Sequence, residues 1–282
     1  ESSAENKERF LKERMLFDIT LFSDDSKIQR KPKGHLYLYP LIAIAAMLAI
    51  VFVMDLPHMH KPKQQLSQTI RIPAGQRAQM DLPDGSVVWL NSQTTLTYDE
   101  DFGKKDRKVT LDGEAYFEVA HNKEIPFYVQ TENIKVQVTG TKFDVCSYKG
   151  SNSFIARLIE GSINLLTNSA KEEKTITSLT KGKYFSMENG KYRTGEMSSN
   201  NALAWMQGIY YFDDVPFKEL LDKIALYYNY KITVKNPKIL ENYRCTGKFK
   251  DLDGIEHILK VIQKDHPFKY DIDNEHNKIT IE

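Results

Sequence analysis

Two cysteines in 282 residues leave no material for a disulfide-rich scaffold or a four-cysteine zinc site. Neither sign of charge is in excess: 39 Lys+Arg stand against 38 Asp+Glu, a net charge of +1. That balance argues against a dedicated nucleic-acid binder and against an acidic disordered tail. The signatures of common enzymes are missing too. There is no G-x-S-x-G, no H-E-x-x-H, no P-loop and no G-x-G-x-x-G. The seven histidines (His35, His58, His60, His121, His257, His266 and His276) are scattered, and none pairs in sequence with a nucleophile. Cys146 and Cys245 fall in different predicted domains: they could pair if the domains pack, and otherwise read as two free or buried thiols. What remains is 41% hydrophobic and 11% aromatic, enough for genuine cores. Length suggests about two domains. The first residue is Glu1 rather than Met, so the natural start is expected upstream.

Long apolar runs are also scarce, with one exception. Leu36–Met54 (LYLYPLIAIAAMLAIVFVM) is 19 residues without a charge, close to the length that spans a bilayer. It is too long for a signal-peptide core, and no A-x-A-like site precedes Asp55. It has no polar stripe for an interfacial helix. Residues 36–54 are therefore expected to form one transmembrane helix, with Pro40 in its first turns, where proline costs least. Arg30, Lys31 and Lys33 crowd its N-terminal edge, which puts residues 1–35 in the cytoplasm and the rest outside it.

Residues 5–22 carry Phe10, Leu11, Met15, Leu16, Ile19 and Phe22 at helical spacing, suiting either a membrane-surface helix or a docking helix for a cytoplasmic partner. Residues 55–69 read as a polar, proline-stiffened linker. His58 and His60 lack a third metal ligand nearby, and no cofactor or metal is expected.

A β domain is expected over 70–200. Ile134, Val136 and Val138 alternate with polar residues, as do Ala78, Met80 and Leu82. An apolar residue, an acid and a glycine recur in Leu82-Pro83-Asp84-Gly85, Leu111-Asp112-Gly113 and Leu158-Ile159-Glu160-Gly161, with Lys181-Gly182 as a basic variant. Each glycine is expected to supply a corner with positive φ. Short strands with such corners suggest an irregular solenoid or a sandwich. Residues 168–175 and 186–200 read as loops.

From 203 to 282 the pattern changes. Ile209–Phe212 reads as a strand, and Val215-Pro216-Phe217 opens a helix with Phe217, Leu220, Leu221, Ile224 and Tyr228 on one face. Strands follow around Tyr230–Val234 and Tyr243–Phe249. A second helix shows Ile255, Ile258, Leu259 and Ile262, and strands at 268–272 and 278–281 finish the chain. The order βαβ-βαββ predicts a small α+β domain, with an open sheet whose edge strand suits β-augmentation by a partner.

The runs LPDGSVVWLNSQTTLTY (82–98), VTLDGEAYFEVA (109–120), PFYV (126–129), VTGTKFDV (138–145) and LIEGSINLL (158–166) resemble the FecR family of inner-membrane anti-sigma factors. Residues 205–281 resemble the domain ending such proteins in Bacteroidetes, which is similar to the secretin/TonB short N-terminal domain. Residues 2–18 resemble the tail of the cytoplasmic sigma-binding region, of which members carry more. The resemblance implies an inner-membrane, single-pass protein with its bulk in the periplasm and no direct nucleic-acid contact. Its implied partners are an extracytoplasmic-function sigma factor, the N-terminal signalling domain of a TonB-dependent outer-membrane transporter, and envelope proteases. It also implies single-turnover self-cleavage between Gly140 and Thr141 by an N-to-O acyl shift, with Asp144 and Lys142 near in sequence for proton transfer. A glycine there also suits a bulge or a close backbone approach. Two other readings stay open: a membrane-anchored periplasmic adaptor without sigma control, and an envelope enzyme with paired carboxylates acting on glycans.

Overall fold

The computed structural model describes residues 66–168, 173–197 and 200–282. The expected membrane helix (36–54), the amphipathic segment (5–22) and His58 and His60 lie outside them. Among the described residues no helix is long and apolar enough to cross a membrane.

Thirteen strands form one curled sheet: β1 (Ser67–Arg71), β2 (Ala78–Asp81), β3 (Val87–Leu90), β4 (Thr95–Asp99), β5 (Arg107–Glu118), β6 (Phe127–Gln130), β7 (Ile134–Val138), β8 (Lys142–Ser147), β9 (Ser153–Glu160), β10 (Ser162–Thr167), β11 (Thr175–Thr180), β12 (Lys183–Glu188) and β13 (Lys191–Glu196). The long strand β5 makes the curl. Its first half pairs with β4 and β6, its second half with β3 and β8. The two leaves so defined, β1-β4-β5-β6-β7-β10-β11 and β2-β3-β5-β8-β9-β12-β13, face each other across one core. Val109, Phe127 and Val136 meet Phe117, Phe143 and Phe185 there, and Phe117 stacks on Phe143 at 5.1 Å. Nearly all pairings are antiparallel, as in a sandwich, with β5–β6 the parallel exception.

The recurring glycines do turn corners: Gly85, Gly113, Gly161 and Gly182 have φ of 82°, 135°, 93° and 83°. Gly113 is the kink where β5 passes between leaves. A Cβ there would lie 2.4 Å from Thr94 Oγ1, which is engaged with the backbone of Glu114.

In this domain two boundaries need correction. Residues 67–69, read as linker, belong to β1; only Ile70 of that edge strand is half-buried, so no apolar alternation announces it. Residues 186–200 are not all loop. β12 and β13 form a hairpin through Asn189-Gly190, with φ of 49° and 77°, as a tight two-residue turn requires. β13 is almost wholly exposed and carries no periodic signal.

The second domain runs β14 (Ile209–Pro216), α1 (Phe217–Tyr228), β15 (Lys231–Val234), β16 (Arg244–Lys250), α2 (Gly254–Asp265), β17 (Tyr270–Asp273) and β18 (Lys278–Ile281), the expected βαβ-βαββ order. The strands do not form one open sheet. They make a β14–β16 ladder and a separate β15-β18-β17 sheet, because β14 bulges at Asp213-Asp214 and β15 pairs in parallel with the last strand instead. α1 buries Phe217, Leu220, Leu221, Ile224 and Tyr227, so Tyr227 rather than Tyr228 completes its apolar face. α2 buries Ile255, Ile258, Leu259 and Ile262.

Candidate functional site

Gly140 and Thr141 sit between β7 and β8, where the chain crosses from one leaf to the other. Two segments converge on this peptide. Residues 119–122 run beside it: the Val119 N–H donates to the Thr141 carbonyl (3.0 Å) and the Asn122 N–H to the Thr139 carbonyl (2.7 Å). Between those bonds His121 presses on Gly140, where a Cβ would lie 2.3 Å from His121 Nδ1 and 2.8 Å from its Cα. From the other leaf comes the Gly161 corner, where a Cβ would lie 2.9 Å from Thr141 Oγ1 and 3.0 Å from the Gly140 oxygen. Finally, the buried Thr141 hydroxyl donates to the Ser162 carbonyl at 3.0 Å.

The strap carrying His121 is itself fixed. Arg107, 2% exposed, donates from Nε to the Ile125 carbonyl (2.7 Å), from Nη1 to Ala120 (2.7 Å) and from Nη2 to Asn122 (3.0 Å). Asp84 Oδ2, from the first Asp-Gly corner, accepts from Arg107 at 3.1 Å, and the Ser86 hydroxyl accepts from the Ala120 N–H. A planar fork satisfying three carbonyls sets the strap's register as a single lysine ammonium could not.

Asp144 and Lys142 do not serve this peptide. Side chains alternate along β8, and Asp144 points to the face opposite Phe143, toward the second domain. Lys142 Nζ lies 3.4 Å from Glu118.

On that opposite face lies a second constellation, spread through sequence and not foreseen. Arg157 Nη1 bonds Asp144 Oδ2 at 2.5 Å and stands 3.8 Å from Glu114 Oε1. The Asn91 side chain donates to Glu114 Oε2 at 2.6 Å. One cation thus faces two buried carboxylates. Burial raises the pKa of Asp144 to about 7, opposed by Arg157 and reinforced by Glu114. Burial likewise pushes Glu114 up, against Arg157 and Asn91. Desolvation also pushes the half-buried Cys146 thiol up, and both cysteines are free.

The second domain closes this face. Trp89, Tyr116 and Ile159 of the β domain pack into its core. Trp205, from the 3-10 segment Asn200–Gln207, is 3% exposed and lines this face beside Arg157 and Glu114. The C-terminal carbonyls of α1 are met by the β domain: Ser92 Oγ donates to the Tyr227 carbonyl (2.9 Å), as does the Gly75 N–H (3.0 Å), and Gln93 donates to Leu226. Arg77 pairs with Asp251 at 2.8 Å. A cavity of about 220 Å³ remains, touched by Glu114, Cys146, Arg157, Lys223 and Tyr227.

A curled β domain fastened through a charged seam to a small α+β domain defines the class of the described region. Residues 68–164 match the family model described as FecR protein, and residues 209–281 the one described as FecR, C-terminal. The chain belongs to the FecR family. Its fold is similar to two crystal structures, at 2.50 and 1.65 Å, of a candidate anti-sigma factor from Parabacteroides distasonis. The first is 25% identical with a TM-score of 0.65, covering 77% of this chain and 98% of that one. The second is 24% identical with the same TM-score, covering 76% and 98%. No curated protein matches.

Proposed function

We propose that this protein is a membrane-tethered anti-sigma factor and signal transducer. In this reading residues 1–35 belong to the part that holds an extracytoplasmic-function sigma factor, residues 36–54 cross the inner membrane, and the two domains lie in the periplasm. There they read the N-terminal signalling domain of a TonB-dependent transporter. The observation that carries the reading is the pair of family domains in order on one chain, in a fold that a candidate anti-sigma factor shares over 98% of its length. The β15-β18-β17 sheet offers β15 and β17 as edge strands for an added partner strand.

Self-cleavage between Gly140 and Thr141 completes the reading. The hydroxyl lies beside the peptide it would attack, as proximity catalysis requires. Cutting there would divide β7 from β8, yet the halves stay paired through β5–β8 and β7–β10. A covalent tether becomes one that can be released, and envelope proteases then act on the remainder.

The test is capture of the membrane-bound protein from the native host. Retention of an extracytoplasmic-function sigma factor, lost when the cytoplasmic segment is deleted, is the expected result. Retention of periplasmic partners alone would replace this reading with that of an envelope adaptor.

A further inference from the structure

We infer that His121 is the proton carrier of the Gly140–Thr141 cleavage. The inference rests on the self-cleavage reading above and adds a residue to it. Its ground is geometric. His121 is held between Ala120 and Asn122, whose carbonyls are both gripped by buried Arg107. The strap is bonded to the Thr139 and Thr141 carbonyls, and the imidazole lies against Gly140 with Nδ1 where a side chain at 140 would begin. A close backbone approach by itself explains a glycine at 140. It does not call for a titratable ring stationed on that glycine by a buried guanidinium.

The other titratable groups nearby are committed elsewhere. Lys142 is beside Glu118, and Asp144 is on Arg157 across the strand. Glu160, opposite Lys142 in register, is exposed. The Ser162 carbonyl accepts the Thr141 hydroxyl hydrogen in the resting structure but is too weak a base to keep a proton, so the hydroxyl must turn from it before the proton can leave. Histidine is the side chain suited to take and return a proton near neutrality.

The chemistry balances as follows. The Thr141 hydroxyl turns from the Ser162 carbonyl, its oxygen bonds to the Gly140 carbonyl carbon, and its proton passes to the His121 imidazole. As the tetrahedral adduct collapses, the bond from that carbon to the Thr141 nitrogen breaks, and the imidazolium returns the proton to the departing nitrogen. An ester and a free amine result. Water then hydrolyses the ester, giving the Gly140 carboxylate and restoring the Thr141 hydroxyl. Positioned proton transfer of this kind contributes about 10²–10⁴-fold.

The experiment follows the intact mass of the full 282-residue chain over time in wild type, Thr141→Ala, His121→Gln and His121→Ala, with thermal melts to verify folding. His121 is exposed, so its variants are expected to melt like wild type. The inference predicts cleavage in wild type, none in Thr141→Ala, and at least about 100-fold slower cleavage in His121→Gln. It further predicts loss of the rate's pH dependence near neutrality in His121→Gln, and restoration of His121→Ala by added imidazole. Cleavage of His121→Gln at the wild-type rate would overturn the role of His121 and leave self-cleavage standing. Slow cleavage with an unchanged pH profile and no imidazole rescue would overturn it too, showing a packing role only. An uncut wild type would remove self-cleavage and the role of His121 together.

Discussion

The core of the β domain and the seam beneath it are two faces of the same strands, and they are built oppositely. On β8, Phe143 and Val145 point into a dry core, while Asp144 and Cys146 point to the seam. On β9, Phe154, Ala156 and Leu158 face the core, while Arg157 faces the seam. The core is apolar on both leaves. The seam mixes Tyr116, Trp89 and Trp205 with a cation and two carboxylates. Apolar burial sets a fold with no particular response to conditions. A buried charge cluster closed by a second domain ties stability to protonation and to how that domain sits.

The contrast can be broken in graded steps. Phe143→Ala should cost about 3–5 kcal/mol, read by chemical denaturation, because a stacked ring leaves a void that the opposed leaves cannot fill. Arg157→Met should cost about 3–5 kcal/mol, by stranding two carboxylates. What separates the two faces is repair. Replacing Arg157, Asp144 and Glu114 together by apolar residues of similar volume should return stability to within about 1–2 kcal/mol of wild type, since such swaps are often near neutral. No single-site change offers that to the core.

A smaller effect is pH-dependent. Folding raises the pKa of Asp144 from 3.8 to about 7, so across that window the folded state binds more protons than the unfolded one. Stability from this group is complete below about pH 4 and is lost as pH climbs toward 7. Denaturation midpoints measured from pH 4 to 8 should show that fall, and Asp144→Asn should lessen it, leaving the part due to buried Glu114. The smallest effect belongs to the solvent side of α1. Breaking the exposed Lys218–Asp222 pair with Asp222→Ala should change stability by no more than about 0.5 kcal/mol.

Much of the fold is visible in sequence for a physical reason: α1, α2 and the central strands each bury one face, and burial imposes a period. The Asp-Gly corners are visible because φ above zero demands a particular residue. β1 and β13 escape because edge strands bury little. Asn189-Gly190 was the available signal for the second of these. Gly140 and Thr141 were legible only by resemblance. The seam was not legible at all. Glu114, Asp144 and Arg157 occupy the polar positions of alternating strands, which reads as a solvated face until a second domain covers it. His121 looked like any isolated histidine, since its place depends on Arg107, distant in sequence and buried in the fold.

If the proposed cleavage occurs, the β domain is cut at one peptide and remains one body. Size-exclusion mass measurement of the same purified chain under native and denaturing conditions decides this. One species of full mass is expected in native buffer, separating in denaturant into residues 1–140 and 141–282. A single uncut chain in denaturant, or fragments that part already in native buffer, would contradict it.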